Sequence, residues 1–198
     1  MSARFTLPSL SNKRLILASG SPRRRELLEQ LGIPVEFRDG PGIREDYPLH
    51  LKGEAIALYL AEKKAAALPL PAEDELLITA DTLVWKADRV LPKPADRREA
   101  IEILQSLSGE RHTVTTGVCL RMPDGMQSFT SSTDVTFSPL TEEEIHYYVD
   151  NYLPYDKAGA YGIQEWIGLV GVESITGSYF NVMGLPIQHL YRTLKHIN

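Results

Sequence analysis

The chain has 198 residues, 43% of them hydrophobic and 24% charged, which is enough apolar material for a real core and argues against disorder as the main state. A net charge of −5 disfavours nucleic acid as a bulk partner, and the single cysteine, Cys119, excludes an internal disulfide and a thiolate metal site. The first dozen residues lack the apolar core of a signal peptide and no later run approaches a membrane span, so the expected location is the cytoplasm.

The apolar run 15–18 predicts a short buried strand, followed by a Ser-Gly-Ser-Pro turn and a helix in which Leu27, Leu28 and Leu31 recur at helical spacing. Pro22 fits the first helical position and Ser21 the N-cap. The turn's backbone N–H groups, the positive end of the helix dipole, the Ser19 and Ser21 hydroxyls and the run Arg23-Arg-Arg25 all favour an anion at one place. Taken alone, a phosphate cradle and an ordinary helix start with solvated arginines are equally well supported. The P-loop pattern GxxxxGK[ST], the GxGxxG fingerprint and the GxSxG elbow are all missing.

Residues 35–37 predict a strand, and 39–46 a glycine- and proline-broken loop that carries carboxylates. A helix follows over 53–67 with Ile56, Tyr59, Leu60 and Ala67 on one face. Lys64 lies beside that stripe and by itself reads as a snorkelling surface lysine. The run 76–80 predicts a buried strand stopping at Asp81 and Thr82, where Asp81 fits both a ligand-facing carboxylate and a turn residue. A hairpin is expected around Ala87 and Asp88, and Lys93 is held extended between Pro92 and Pro94. Asp96 caps a helix carrying Ile101, Leu104 and Leu107, which ends at Ser108-Gly109. Residues 112–121 and 127–137 read as a long hairpin with Cys119 in its core, a nucleophilic Cys119 being the remote alternative. Thr141 and Glu144 form a capping box before a helix reaching about Asn151. The segment 156–164 is a shaped loop, and 177–186 leads into a last helix through Leu190 and Leu194. Five histidines without HExxH or another close pair argue against zinc. An acidic chain with local basic foci at the first turn, Lys63, Lys64, Lys86 and Lys93 suits a small polyanion better than a long one.

In order along the chain, Ser19-Gly-Ser-Pro-Arg-Arg24, Ala80-Asp-Thr82, Lys93-Pro94, Leu107-Ser-Gly109 with His112, Lys157-Ala-Gly-Ala-Tyr-Gly-Ile-Gln164 and Gly177-Ser-Tyr-Phe-Asn-Val-Met-Gly-Leu-Pro186 together resemble the motifs of the Maf family of nucleoside triphosphate pyrophosphatases. The match runs roughly from residue 14 to 195; each motif is weak and the set is specific. One departure is Pro92 where the family commonly has glycine before Lys-Pro.

What the resemblance implies is a single α/β domain over 1–198, with 1–13 as a short N-terminal extension. Its two-lobed Maf-like fold, akin to inosine triphosphatase, would have a mixed β-sheet and a central nucleotide cleft, often in a homodimer. The implied reaction converts a nucleoside triphosphate to monophosphate and pyrophosphate with Mg2+ or Mn2+, without a stable nucleic-acid or membrane partner. Carried over residue by residue, Arg23, Arg24, Ser19 and Ser21 would bind phosphates, Lys64, Lys93 and Gln164 would also contact substrate, and Glu45 and Asp81 would take the metal. Asp81 would also be catalytic, orienting and deprotonating the attacking water, a role that sequence does not separate from metal binding. The loop ending at Gln164 resembles the subfamily acting on dTTP and UTP rather than the one acting on methylated guanine nucleotides. The competing readings are a nucleic-acid-binding or cell-division regulator using Arg23-Arg-Arg25, and a phosphohydrolase of another substrate class.

Overall fold

In the computed structural model, which describes residues 7–197, the first apolar run becomes strand β1 (Arg14–Ala18), with Leu15 to Ala18 all buried. Strand β2 (Val35–Arg38) and strand β3 (Glu75–Lys86) flank it, both parallel, with Leu15 opposite Val35 on one side and Leu76 on the other. Parallel neighbours need crossovers, and helices α1 (Pro22–Gln30) and α2 (Glu54–Ala66) lie in those connections. Two hairpins extend the sheet: β4 (Arg89–Leu91) folds back on β3, and β5 (Arg111–Met122) is followed by β6 (Gly125–Phe137). With β7 (Val172–Thr176) antiparallel to β6, the described residues form a mixed seven-stranded sheet ordered β2-β1-β3-β5-β6-β7, with β4 on β3.

The chain divides into two compact units. The first holds the described residues up to Asp81, Thr116–Ser131 and the chain from Gly184; the second holds Thr82–Thr115 and Ser132–Met183. Residues 1–6 of the expected N-terminal extension lie outside the described residues. The remainder is not a loose end: Leu7 is buried, and the Ser9 hydroxyl donates to the Leu194 carbonyl at 2.6 Å on helix α7 (Ile187–Lys195).

In the first unit α2 buries Ile56, Ala57, Leu60, Ala61 and Ala65, while Tyr59 is half-buried and Ala67 exposed. The expected face therefore moves toward the alanines, because small residues let the strand come close. A Cβ on Gly117 of β5 would lie 2.2 Å from the Ala57 carbonyl oxygen, so only glycine permits this approach. Arg121, buried on the same strand, donates to the carbonyls of Ala65 and, at 2.8 Å, of Leu68, which satisfies the end of the helix with a cation. Cys119 is fully buried and its burial pushes the thiol pKa up, which makes it a core residue rather than a nucleophile.

In the second unit α3 (Arg97–Leu107) starts at the Asp96 cap and α4 (Glu142–Tyr152) at the full Thr141–Glu144 capping box, as the local sequence dictates. Ala87 and Asp88 both take positive φ, the type I′ geometry of a tight hairpin. The strand before them does not stop at Asp81: Thr82 to Trp85 keep strand propensity and β3 continues to the turn. The loop after α4 contains two short 3-10 turns, Pro154–Asp156 and Ala158–Ala160, before α5 (Trp166–Gly171). α6 (Tyr179–Met183) follows β7. Among the described residues no helix is long and apolar enough to cross a membrane.

Candidate active site

The turn between β1 and α1 is built by its own hydrogen bonds. The Ser21 N–H donates to Ser19 Oγ at 3.2 Å, and Ser21 Oγ accepts the Arg24 N–H at 3.5 Å as the N-cap. Because both hydroxyls act as acceptors here, each still carries a proton to donate. Gly20, between them, is exposed and open, with nothing within 4 Å of the place a Cβ would occupy. A helix start with this much open space is a reasonable anion position.

The three consecutive arginines separate. Arg25 is exposed and lies over the Phe37 ring, 4.6 Å from its centroid. Arg23 is half-buried on the turn. Arg24 reaches inward, where Nε donates to the Gly184 carbonyl at 2.8 Å and Nη1 to the Ala80 carbonyl at 2.8 Å and to Ser19 Oγ at 3.4 Å. It is thus a guanidinium clamped by backbone beside the residue that precedes Asp81. Burial lowers its pKa, and the Asp81 carboxylate opposes that shift.

Asp81 is buried in mid-strand, 5% exposed. Lys64, from the last turns of α2, donates to Asp81 Oδ1 and to Glu45 Oε1 at 2.6 Å, so one ammonium holds two carboxylates. Its side chain is only 15% exposed, which corrects the surface-lysine reading. The neighbouring Lys63 binds the Arg44 carbonyl at 3.0 Å and the Asp46 backbone carbonyl at 2.9 Å, and pairs with the Asp46 carboxylate. Two adjacent lysines therefore tie the carboxylate-bearing loop to α2. Burial pushes the Asp81 carboxyl up, with Lys64 and then Arg24 pulling it back.

Glu45 and Asp81 are the carboxylates that converge on one cationic centre. Among the described residues no group of three or more His, Cys, Asp and Glu side chains could hold a metal by itself. Two carboxylates match Mg2+, which completes its shell with water and phosphate oxygens.

Lys93 and Gln164 belong to the second unit. Lys93 is exposed between Pro92, whose carbonyl accepts the Gly159 N–H at 3.2 Å, and the buried Pro94. Gln164 is exposed in the turn ahead of α5. Lys86, grouped with the basic foci in the sequence, instead donates to the Ser106 carbonyl. The carbonyls of Ala80 and Gly184 were not legible as site groups, since a carbonyl has no residue-type signature.

A mixed α/β sheet with a polar turn after its first strand, an anchored arginine and a buried lysine–carboxylate cluster defines a protein equipped for a small anionic ligand. The Maf-like protein family matches residues 14–197. Over 192 residues the chain is 55% identical to a dTTP/UTP pyrophosphatase of Bacteroides fragilis and 53% identical to one of Bacteroides thetaiotaomicron, covering 96% of this chain and 100% of each relative. A dTTP/UTP pyrophosphatase of Porphyromonas gingivalis is 48% identical, with 96% of both chains covered. The chain belongs to the Maf family.

Proposed function

We propose that this protein hydrolyses dTTP and UTP to the nucleoside monophosphate and pyrophosphate, acting in the cytoplasm with Mg2+ or Mn2+ and without a stable nucleic-acid partner. A homodimer is the assembly we assign to it. The observation that carries the reading is the anchoring of Arg24 on the carbonyl of Ala80, which sets a fixed positive charge beside the Asp81–Lys64–Glu45 cluster. The names of the curated relatives supply the substrate class.

In this reading Arg23, Arg24, the Ser19 and Ser21 hydroxyls and the N–H groups of the first turn of α1 hold the triphosphate. Water attacks the α-phosphorus, the bond from that phosphorus to the bridging oxygen breaks, and pyrophosphate leaves with the electron pair. Asp81 orients the water and takes its proton; a carboxyl raised by burial is a stronger base than an exposed one. Lys64 moderates the charge on Asp81 and Glu45, and Lys93 offsets charge on the departing pyrophosphate. A divalent cation held by Glu45 and Asp81 would supply further neutralisation of the phosphate oxygens. Gln164 reads the base, its amide NH2 donating to O4 of thymine or uracil and its carbonyl accepting N3–H, a pattern that cytosine reverses.

A panel of nucleoside triphosphates with Mg2+, scored for monophosphate and pyrophosphate, tests this directly. The expected result is turnover of dTTP and UTP well above CTP and purine nucleotides. Salt-sensitive DNA retention without turnover, or release of single phosphates, would overturn it.

A further inference from the structure

Gln164 occupies the third position of a turn from Gly162 to Glu165, closed by the Glu165 N–H on the Gly162 carbonyl at 3.0 Å. Both ends of that turn are tied to one atom. The Tyr148 phenol oxygen, on α4, accepts the Gly162 N–H at 2.9 Å and donates to Glu165 Oε2. The other carboxylate oxygen, Oε1, lies 3.3 Å from Lys157 Nζ, which also donates to Asp156 Oδ1 at 2.7 Å. Tyr148 is fully buried and stacked on Tyr152, with centroids 5.0 Å apart, and Lys157 is buried as well. The Glu165 carboxylate lies directly against the turn: a Cβ on Gly162 would sit 2.8 Å from Glu165 Cδ.

The turn needs such support because Gly159 and Gly162 give the segment little stiffness of its own. An amide that separates uracil from cytosine must resist both displacement and rotation, since a flipped amide presents the opposite pattern. Tyr148 takes the Gly162 N–H and the Glu165 N–H closes on the Gly162 carbonyl, while Gln164 itself is exposed.

We propose that Tyr148, Glu165 and Lys157 are positioning residues that hold the Gln164 turn in the one arrangement from which its amide discriminates the pyrimidine edge. This rests on the assignment of Gln164 as the base reader. The test compares kcat and KM for dTTP, UTP and CTP, together with melting temperature, in Tyr148→Phe, Glu165→Ala, Glu165→Gln, Gln164→Ala and the double variant Tyr148→Phe/Gln164→Ala. Tyr148→Phe and Glu165→Ala should raise KM for dTTP and UTP more than they lower kcat, and reduce the dTTP-over-CTP ratio of kcat/KM several-fold. Glu165→Gln keeps an acceptor for the Tyr148 hydroxyl and should restore most of the ratio. The double variant should discriminate no worse than Gln164→Ala alone. If Gln164→Ala alters the ratio while Tyr148→Phe and Glu165→Ala lower the melting temperature and keep it, the network is merely structural and the proposal fails. An unaltered ratio in Gln164→Ala overturns the base reader itself. Should Tyr148→Phe not fold, the Glu165 pair decides by the same ratio.

Discussion

β3 begins at Glu75 and carries Asp81 six residues on, and the two carboxylates have arginine or lysine partners of similar kind. At the first, Arg38 donates to Glu75 at 2.6 Å and Arg14 at 3.0 Å, while Arg14 also binds Asp74 at 2.8 Å and Glu36 at 3.0 Å. These arginines are about half exposed, and the hydrogen bond from Arg38 pulls the Glu75 carboxyl below its ordinary range, as the one from Arg14 does for Asp74. At the second, burial outweighs Lys64 and raises Asp81. Ion pairing of the same type thus lowers one carboxyl and fails to lower the other. Both carboxyls expose little surface, but Glu75 collects hydrogen bonds from Arg38, Arg14 and the Ala72 N–H, whereas at Asp81 desolvation outweighs the bond from Lys64.

The largest expected effect comes from removing the raised carboxylate. Asp81→Asn should cut kcat by about 10²-fold or more, the scale of a general base, with the circular-dichroism spectrum unchanged. Near-normal turnover would take Asp81 out of the mechanism and reduce the contrast to one of packing.

Lys64→Gln sharpens the comparison. In the parent, kcat/KM should fall as pH drops through the titration of Asp81, because the active form is the carboxylate. Removing the ammonium that opposes desolvation should move this acid limb to higher pH and lower kcat/KM by about tenfold. An acid limb that stays in place would mean that Lys64 does not govern Asp81.

The smallest effect belongs to the exposed network. Arg14→Ala should leave turnover unchanged and lower the melting temperature at neutral pH by no more than a few degrees, as surface ion pairs do. The two sites should differ in sign against pH. For Asp74, Glu75 and the other carboxyls held low, the folded state binds protons less readily than the unfolded chain. Their stabilisation is present above about pH 4 and is lost as pH falls through their depressed values. For Asp81 the contribution favours folding below about pH 4 and is lost as pH rises through its elevated folded value. Acid unfolding followed by fluorescence should therefore be less steep in Arg14→Ala than in the parent. Equal steepness would show that the network contributes no linkage.

What the sequence determined by itself is the structure made by contacts a few residues apart. Ser21 capping Arg24, Asp96 capping Glu99, the Thr141–Glu144 box and the Ala87–Asp88 turn are all of this kind, because each side chain's chemistry selects a backbone geometry within reach of itself. The candidate residues Ser19, Arg24, Asp81, Lys64 and Glu45 were also legible as a set, through the resemblance of separated motifs to a family. Their arrangement was not. Arg24 is anchored on carbonyls 56 and 160 residues away, and Lys64 leaves its expected surface role to join carboxylates 19 and 17 residues distant. Short α5 and β7 carry no local signal for the same reason, since Gly168 and Gly171 weaken the helical pattern and β7 is specified by its pairing with β6. Periodicity and capping report local hydrogen bonds. Long-range partners that are backbone carbonyls, and the burial that raises Asp81, leave no mark in the order of residues and exist only once the chain has packed.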